Sequence, residues 1–334
     1  MDRPLCRFMM RAGAYAAVLA ALLLATYYGV DPLHTARGAD SYFTDDFDYN
    51  LAVVAIDNFD RSPDRRSYDS FILGNSMSKS LRVADWQRYL PAGARPYHLS
   101  SDRQWLPVSI KLLEYVVANV DSVRDVLYFT SMPSLTAEVD DWAIGLPHPR
   151  IYHGAERASM WLQHLGQGLN RRMIAGRISA WAGDWAVKGY PHRPGVVFEP
   201  EGCQVNYVGQ MAYADTASLE SEPLRSWQKI LAESGPKVEP PLIDAEVESL
   251  LYRLKEVADA CGARLEVVIV PTAGLHRMSQ RDDSVMRAIF GPRFHNLTYA
   301  RDSEMRDVRN FYDEYHFDSD MAARLLDDAL GQGQ

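Results

Sequence analysis

Apolar and polar positions divide the chain into three regimes. From Ala12 to Val30 (AGAYAAVLAALLLATYYGV) no residue is charged, and nineteen such residues can cross a hydrocarbon core as a helix. Residues 31–67 are polar and turn-rich, with one short helical candidate near Tyr49–Asn58, and read as a stalk. From residue 68 onward, short apolar runs alternate with stretches of helical spacing. Asp69–Leu73 is an apolar run that stops at Gly-Asn-Ser, and Arg95–Leu99 is a weaker strand. Leu106–Val120 carries Val108, Ile110, Leu112, Leu113, Val116 and Val117 at helical spacing. Val123–Thr130 is a strand ending at Ser131-Met132-Pro133.

The alternation resumes at the far end. Ile243–Cys261 is an amphipathic helix, Leu265–Val270 (LEVVIV) a buried strand, and Asp318–Leu330 a closing helix with Asp318 as its cap. Continuous apolar strands alternating with helices mean a parallel sheet covered on both faces, an α/β fold. Chemistry in such sheets gathers beyond the C-terminal strand ends. Ser76, Ser100, Ser131 and Thr272 all fall there.

Residues 140–240 break the pattern. A helical stretch from about Glu156 to Val187 precedes a Pro/Gly-rich coil around Pro191–Gly202, which together read as an insertion over or beside the active face. Its tryptophans (Trp142, Trp161, Trp181 and Trp185) suit stacking on sugar rings, and equally suit core or lid packing. The expected organisation is therefore a tip and anchor at 1–30, a stalk at 31–67, and a domain at 68–334 with its insertion at about 140–240.

Charge sharpens the reading of the first segment. Arg3, Arg7 and Arg11 precede the apolar run and Asp31 follows it, so the N-terminus stays in the cytoplasm and the rest is exported. Tyr27 and Tyr28 sit where an interfacial aromatic belt forms. The run exceeds the usual signal-peptide core and no Ala-x-Ala site follows it, which favours an uncleaved anchor. The whole chain has a net charge of −9, and setting aside the three arginines and one aspartate of residues 1–30 deepens it to −11. That acidity gives no electrostatic case for binding nucleic acid or an anionic surface. Of three cysteines, Cys203 and Cys261 lie in the exported part, where one disulfide and two buried thiols both stay open.

The chemistry is carried by Phe71-Ile72-Leu73-Gly74-Asn75-Ser76-Met77 and, much later, by Asp313-Glu314-Tyr315-His316. A serine hydroxyl is a poor nucleophile until a base takes its proton, and the base needs a partner to fix its tautomer. Ser76, on a tight turn after a strand, has the exposure required. His316 is the candidate base and Asp313 the candidate orienting acid, three positions apart on one short segment. Each has a plainer use: Ser76 as a helix cap, the acids as a solvated face, His316 as a satisfied histidine. His98 and His276, near predicted strand ends, compete as bases. The acids and His316 match no metal-binding spacing, and no cofactor or metal is expected.

Serine early and Asp-x-x-His late is similar to the SGNH (GDSL-like) superfamily. It resembles in particular the membrane-anchored cell-envelope branch that holds the DltD-like proteins and the alginate O-acetylation proteins. The likeness covers both ends of the domain well and its middle poorly. It implies a flavodoxin-like three-layer parallel sheet with an inserted helical and coil region and an N-terminal transmembrane helix. It also implies a catalytic Ser76–His316–Asp313 set. The α/β-hydrolase elbow fits less well, since Gly74-Asn75-Ser76-Met77-Ser78 lacks the second glycine of that motif.

The superfamily's usual second and third blocks donate to the oxyanion from a glycine and from an asparagine. Here the corresponding turns read Leu99-Ser100-Ser101-Asp102 and Thr130-Ser131-Met132-Pro133, with neither residue. The Ser76 amide remains as a donor, Ser100 or Ser101 can supply a second, and the third is unassigned. The resemblance therefore implies an exported serine acyltransferase or esterase in a bacterial inner membrane, single-pass, with its domain in the periplasm or outside the cell. Its substrate would be an envelope or extracellular polysaccharide, and its partner a multispanning membrane acyltransferase. The alternative is a non-catalytic scaffold or glycan-binding protein of the same fold.

Overall fold

The computed structural model describes residues 3–31, 50–99, 101–139, 145–171, 174–175, 197–198, 204–205, 222–233, 235–311 and 315–331. Five parallel strands make its main sheet: β1 (Ser70–Leu73), β2 (Pro96–His98), β3 (Asp125–Ser131), β4 (Arg264–Val270) and β5 (Phe294–Asn296). Their spatial order is β2-β1-β3-β4-β5. The register is continuous: Ile72 pairs with His98 on one side and Leu127 on the other, and Leu127 in turn with Glu266. The chain thus leaves β1 toward one edge, then returns past it toward the other. Such a reversal opens a crevice beyond the carboxyl ends of the strands on either side of it, here β1 and β3.

Nine helices carry labels here: α1 (Arg3–Val30), α2 (Leu51–Arg61), α3 (Val83–Gln87), α4 (Leu106–Asn119), α5 (Gly154–Gly168), α6 (Glu222–Glu233), α7 (Ala245–Ala260), α8 (Gln280–Phe290) and α9 (Ser319–Leu330). Strands β1, β2 and β3 are buried on both faces, as are the last four residues of β4, and alternate residues face opposite layers. Val126 and Tyr128 join Phe71, Val267 and Ile269 in a core with α2, α4, α7 and α8. Leu127 and Phe129 join Ile72, Val268 and Val270 in a second core with α3 and α9. A parallel sheet covered on both sides is the architecture the apolar runs predict.

Local signals set several boundaries. Asp244 accepts from the Glu246 and Val247 amides to start α7, and Ser279 accepts from the Asp282 amide to start α8. Asp318 accepts from the Met321 amide at the head of α9, the capping role expected of it. Gly291, at φ +60°, ends α8 in the left-handed region.

One part of the expected stalk belongs to the domain. Leu51 to Asp57 and Phe59 are buried, and Phe59 packs edge-on against Phe71 and Tyr97. Asn50 caps this helix through the Val53 amide and donates to the Leu146 carbonyl at 2.7 Å. A helix apolar on nearly all sides has to be enclosed. Residues 32–49 of the stalk lie outside the described residues, as do Trp142, Trp181 and Trp185 of the insertion. Of the long helix expected from Glu156, the described portion is α5. Cys261 is a free thiol, and Cys203 lies outside the described residues.

The N-terminal helix meets the span criterion over Pro4–Val30, and none of its most apolar window is buried. Among the described residues its end is the part enclosed by the domain: Tyr27 is 3% exposed and Asp31 is buried.

Candidate active site

Ser76 stands three residues beyond β1, and its position follows from the glycine two residues before it. Gly74 has φ +156°, and a Cβ there would fall 1.9 Å from the Phe129 carbonyl oxygen on β3. Only glycine lets the chain turn this close to the neighbouring strand. Asn75 then locks the turn. Its side-chain oxygen accepts from the Met77 amide, and its Nδ2 donates to Ser131 Oγ and Ser134 Oγ at 2.8 and 2.7 Å. A 3-10 turn, Ser76–Ser80, carries the serine forward. Gln104, its amide oriented by its neighbours, bonds both the N–H and the C=O of Gly74 at 3.1 Å.

His316 comes from the opposite end of the chain and is held just as closely. Phe311 and Phe317 form an antiparallel bridge, and the Asp318 amide donates to the Asn310 carbonyl at 2.8 Å. Phe317 is fully buried and meets Phe129 edge-on at 6.4 Å. Ser80 Oγ donates to the Phe317 carbonyl at 2.5 Å, so the serine's own turn fastens the histidine's segment. The outcome is a contact of 2.7 Å between His316 Nε2 and Ser76 Oγ. Both residues are half-buried, open enough for a substrate to reach. A hydroxyl this close to an imidazole nitrogen can pass it a proton.

The remaining expected site residues fare differently. Asp313 and Ser100 lie outside the described residues. Two other acids near His316 are engaged elsewhere: Asp318 caps α9, and Asp320 pairs with Arg82 at 3.3 Å. Burial raises the pKa of Asp318, opposed by the Met321 amide it accepts from. The Ser101 hydroxyl donates to the Asp102 carbonyl at 3.0 Å and is buried. Trp161 sits exposed on α5.

The rival bases have other partners. His98 Nε2 lies 3.0 Å from Ser78 Oγ, deep below the turn, and neither residue is exposed. His276 pairs its Nδ1 with Glu239 at 2.5 Å, beside a two-residue parallel pairing of Lys237–Val238 with His276–Arg277. A cleft lined by Trp86, Asp125, Arg264, Glu266 and His295 opens where β3 and β4 begin, the end of the sheet away from Ser76. No group of metal-ligating side chains occurs among the described residues.

Two features of the site escape a reading of the sequence. The first is an ion pair of Lys79 Nζ with Asp102 at 2.7 Å, both buried, which ties the serine turn to the loop after β2. Removing one member of a buried pair leaves the other charge uncompensated. Lys79→Met is expected to cost about 3 kcal/mol in denaturant unfolding, and Lys79→Met with Asp102→Leu to recover most of it. A double variant no better than the single would deny the pair this role.

The second is a pair of neutral, buried histidines, of which His98 lies beneath the turn. Burial alone holds the His98 pKa down to about 3. His164, buried on α5 with its Nε2 at 2.8 Å from the Pro147 carbonyl, is held down to about 4, again mainly by burial. Their unfolded-state pKa is ~6.5. Below that value the unfolded chain takes up protons that the folded one refuses, so stability is full above pH ~6.5 and falls as pH drops toward 4. Between pH 6 and 5 each histidine is expected to contribute a slope approaching ~1.4 kcal/mol per pH unit, with His98→Gln removing about half of the total. Denaturant midpoints taken across that interval test it; a flat profile would mean that the two histidines protonate in place.

Comparison with protein-family models, with curated proteins and with solved structures finds no match for this chain.

Proposed function

We propose that this protein is an exported, membrane-anchored serine acyltransferase or esterase of SGNH type, acting on a cell-envelope or extracellular polysaccharide. The observation that carries the reading is the 2.7 Å contact of Ser76 with His316, from segments 240 residues apart in the chain. The β2-β1-β3-β4-β5 order supports it, since 2-1-3-4-5 is the flavodoxin-like order and Ser76 follows β1 at its reversal point.

In this reading Ser76 Oγ attacks the acyl carbonyl while its proton passes to His316 Nε2. The Ser76 amide donates to the oxyanion, aided by the loop after β2. Collapse of the intermediate expels the alkoxide, which takes the proton from His316 and leaves an acyl ester on Ser76. A sugar hydroxyl or water, deprotonated by His316, then attacks that ester and restores the serine. Asp313 orients the imidazole and balances its charge. The acyl donor reaches the domain with the help of a multispanning membrane acyltransferase in the bacterial inner membrane. The apolar helix Pro4–Val30, with arginines on its N-terminal side, supports a periplasmic or extracellular location for the domain.

A fluorophosphonate probe tests the reading, because it bonds only to serines that a base has activated. Full-length protein is expected to carry one adduct, on Ser76, lost in Ser76→Ala and in His316→Ala. An unlabelled wild-type protein with intact fold would favour a scaffold built on the same architecture.

A further inference from the structure

The α5 helix turns its apolar stripe the wrong way for a helix of a water-soluble domain. Among the described residues its buried edge is Met160, His164 and Gly168, one residue per turn. Its other apolar residues follow i, i+3, i+7, i+10, i+14 spacing, as Ala155, Ala158, Leu162, Leu165 and, at the cap, Leu169, with Trp161 alongside. The stripe is bare over its N-terminal part: Ala155, Ala158 and Leu162 are exposed, Leu162 at 68% with Trp161 beside it at 38%, while Leu165 and Leu169 are half-buried. Glu156, Gln163 and Gln167 fall on the flank away from it. A helix with one packed edge, one polar flank and one bare apolar stripe has the build of a helix lying in a membrane interface.

Its position favours the same occupant. A Cβ on Gly168 would lie 2.5 Å from the Tyr27 ring, so the last turn of α1 seats against the C-terminal turn of α5. Tyr27 and Tyr28 mark the level at which a spanning helix leaves the hydrocarbon. Leu162 is six residues from Gly168, roughly 9 Å along a helix axis, so a helix inclined by less than about 45° to the membrane plane keeps it within a headgroup layer about 5–8 Å thick.

We infer that α5 rests on the outer membrane–water boundary beside α1, with Trp161 and Leu162 immersed among the lipid headgroups and upper acyl chains. The inference rests on the reading of α1 as a membrane span. Apolar area drives the contact. The one basic residue of α5, Arg157, donates to the Tyr152 and Arg150 carbonyls, and no cationic stripe faces anionic lipid. Two points of attachment then fix how the domain stands on the bilayer.

Photo-crosslinking decides the matter. Full-length protein in phosphatidylcholine nanodiscs containing a diazirine-bearing phospholipid is irradiated, and the adducts are mapped by mass spectrometry. Adducts are expected on α1 and on residues 155–169, at an unchanged ratio when phosphatidylglycerol is added. Leu162→Glu combined with Trp161→Ser is expected to cut the α5 adducts at least tenfold and leave those of α1, and the circular dichroism, as they were. Adducts on α1 alone would overturn the inference and leave the span intact. Adducts on neither would overturn both. Two copies per nanodisc by mass measurement, with no lipid adducts on residues 155–169 and separation into single copies by Leu162→Glu, would assign the stripe to a dimer and refute the membrane contact.

Discussion

Replacing Ser76 by alanine is expected to lower turnover of an activated ester, such as p-nitrophenyl acetate, by roughly 10⁴-fold or more. The substitution deletes one half-buried oxygen and leaves the Gly74–Asn75 turn, the Asn75 bonds and the Ser80–Phe317 link in place. Unfolding is therefore expected to shift by only a few tenths of a kcal/mol, within the usual range for surface changes. His316→Ala is expected to match it, and the double variant to be no worse than either single, because nucleophile and base act as one unit. Asp313→Asn should keep more activity, since it disturbs orientation and charge balance but removes neither reacting group. If the two single losses multiply in the double variant, Ser76 and His316 act separately and the 2.7 Å contact is not catalytic.

Gly74→Ala is expected to be the most damaging single change to the fold. The new methyl would occupy the Phe129 carbonyl oxygen at 1.9 Å, and that oxygen belongs to the central β3 backbone, which cannot swing aside like a side chain. At φ +156° the residue also sits where L side chains are strained. Relief requires β1 and β3 to separate at their C-terminal ends, at a cost of about 4 kcal/mol or more, comparable to the whole stability of a marginal domain. Denaturant unfolding of the variant, or its failure to accumulate in the expressing cell, reports the loss. A variant within 1 kcal/mol of wild type would show that the turn can rebuild itself.

How much of this was legible beforehand depended on whether local chemistry or distant contacts set each feature. The edges of β1, β3, β4, α4, α7 and α9 lie within two residues of the apolar runs and caps that mark them, because Asp318 and the strand residues act on their immediate neighbours. The α8 helix was not, since Arg281, Asp282 and Asp283 fill its first turn and only Met286, Ile289 and Phe290 among its apolar side chains are buried. Nor was β5, three residues with a single buried phenylalanine, which is a strand because β4 offers it a partner. The α2 helix was visible as a helix but not as core, because its polar flanks resemble a stalk and its burial comes from Phe71 and Tyr97.

The site divides along the same line. Ser76 and His316 were readable from their turns and spacing, while Lys79–Asp102, Gln104 and the His98–Ser78 floor were not. Each of these joins residues from two separate elements, and no local pattern announces which lysine or histidine will be enclosed.

The Ser80–Phe317 hydrogen bond and the bridge of Phe311 with Phe317 also set a schedule. They join the first strand region to a segment 237 residues further along the chain, and ordering such a long loop precedes any reward from closing it. The 2.7 Å contact of Ser76 with His316 therefore waits on the meeting of two segments 240 residues apart. A break between β5 and Phe317 is expected to part the two side chains while most of the sheet stays intact. On the proposed reading, the nucleophile is thus switched on by tertiary assembly and not by the turn that carries it.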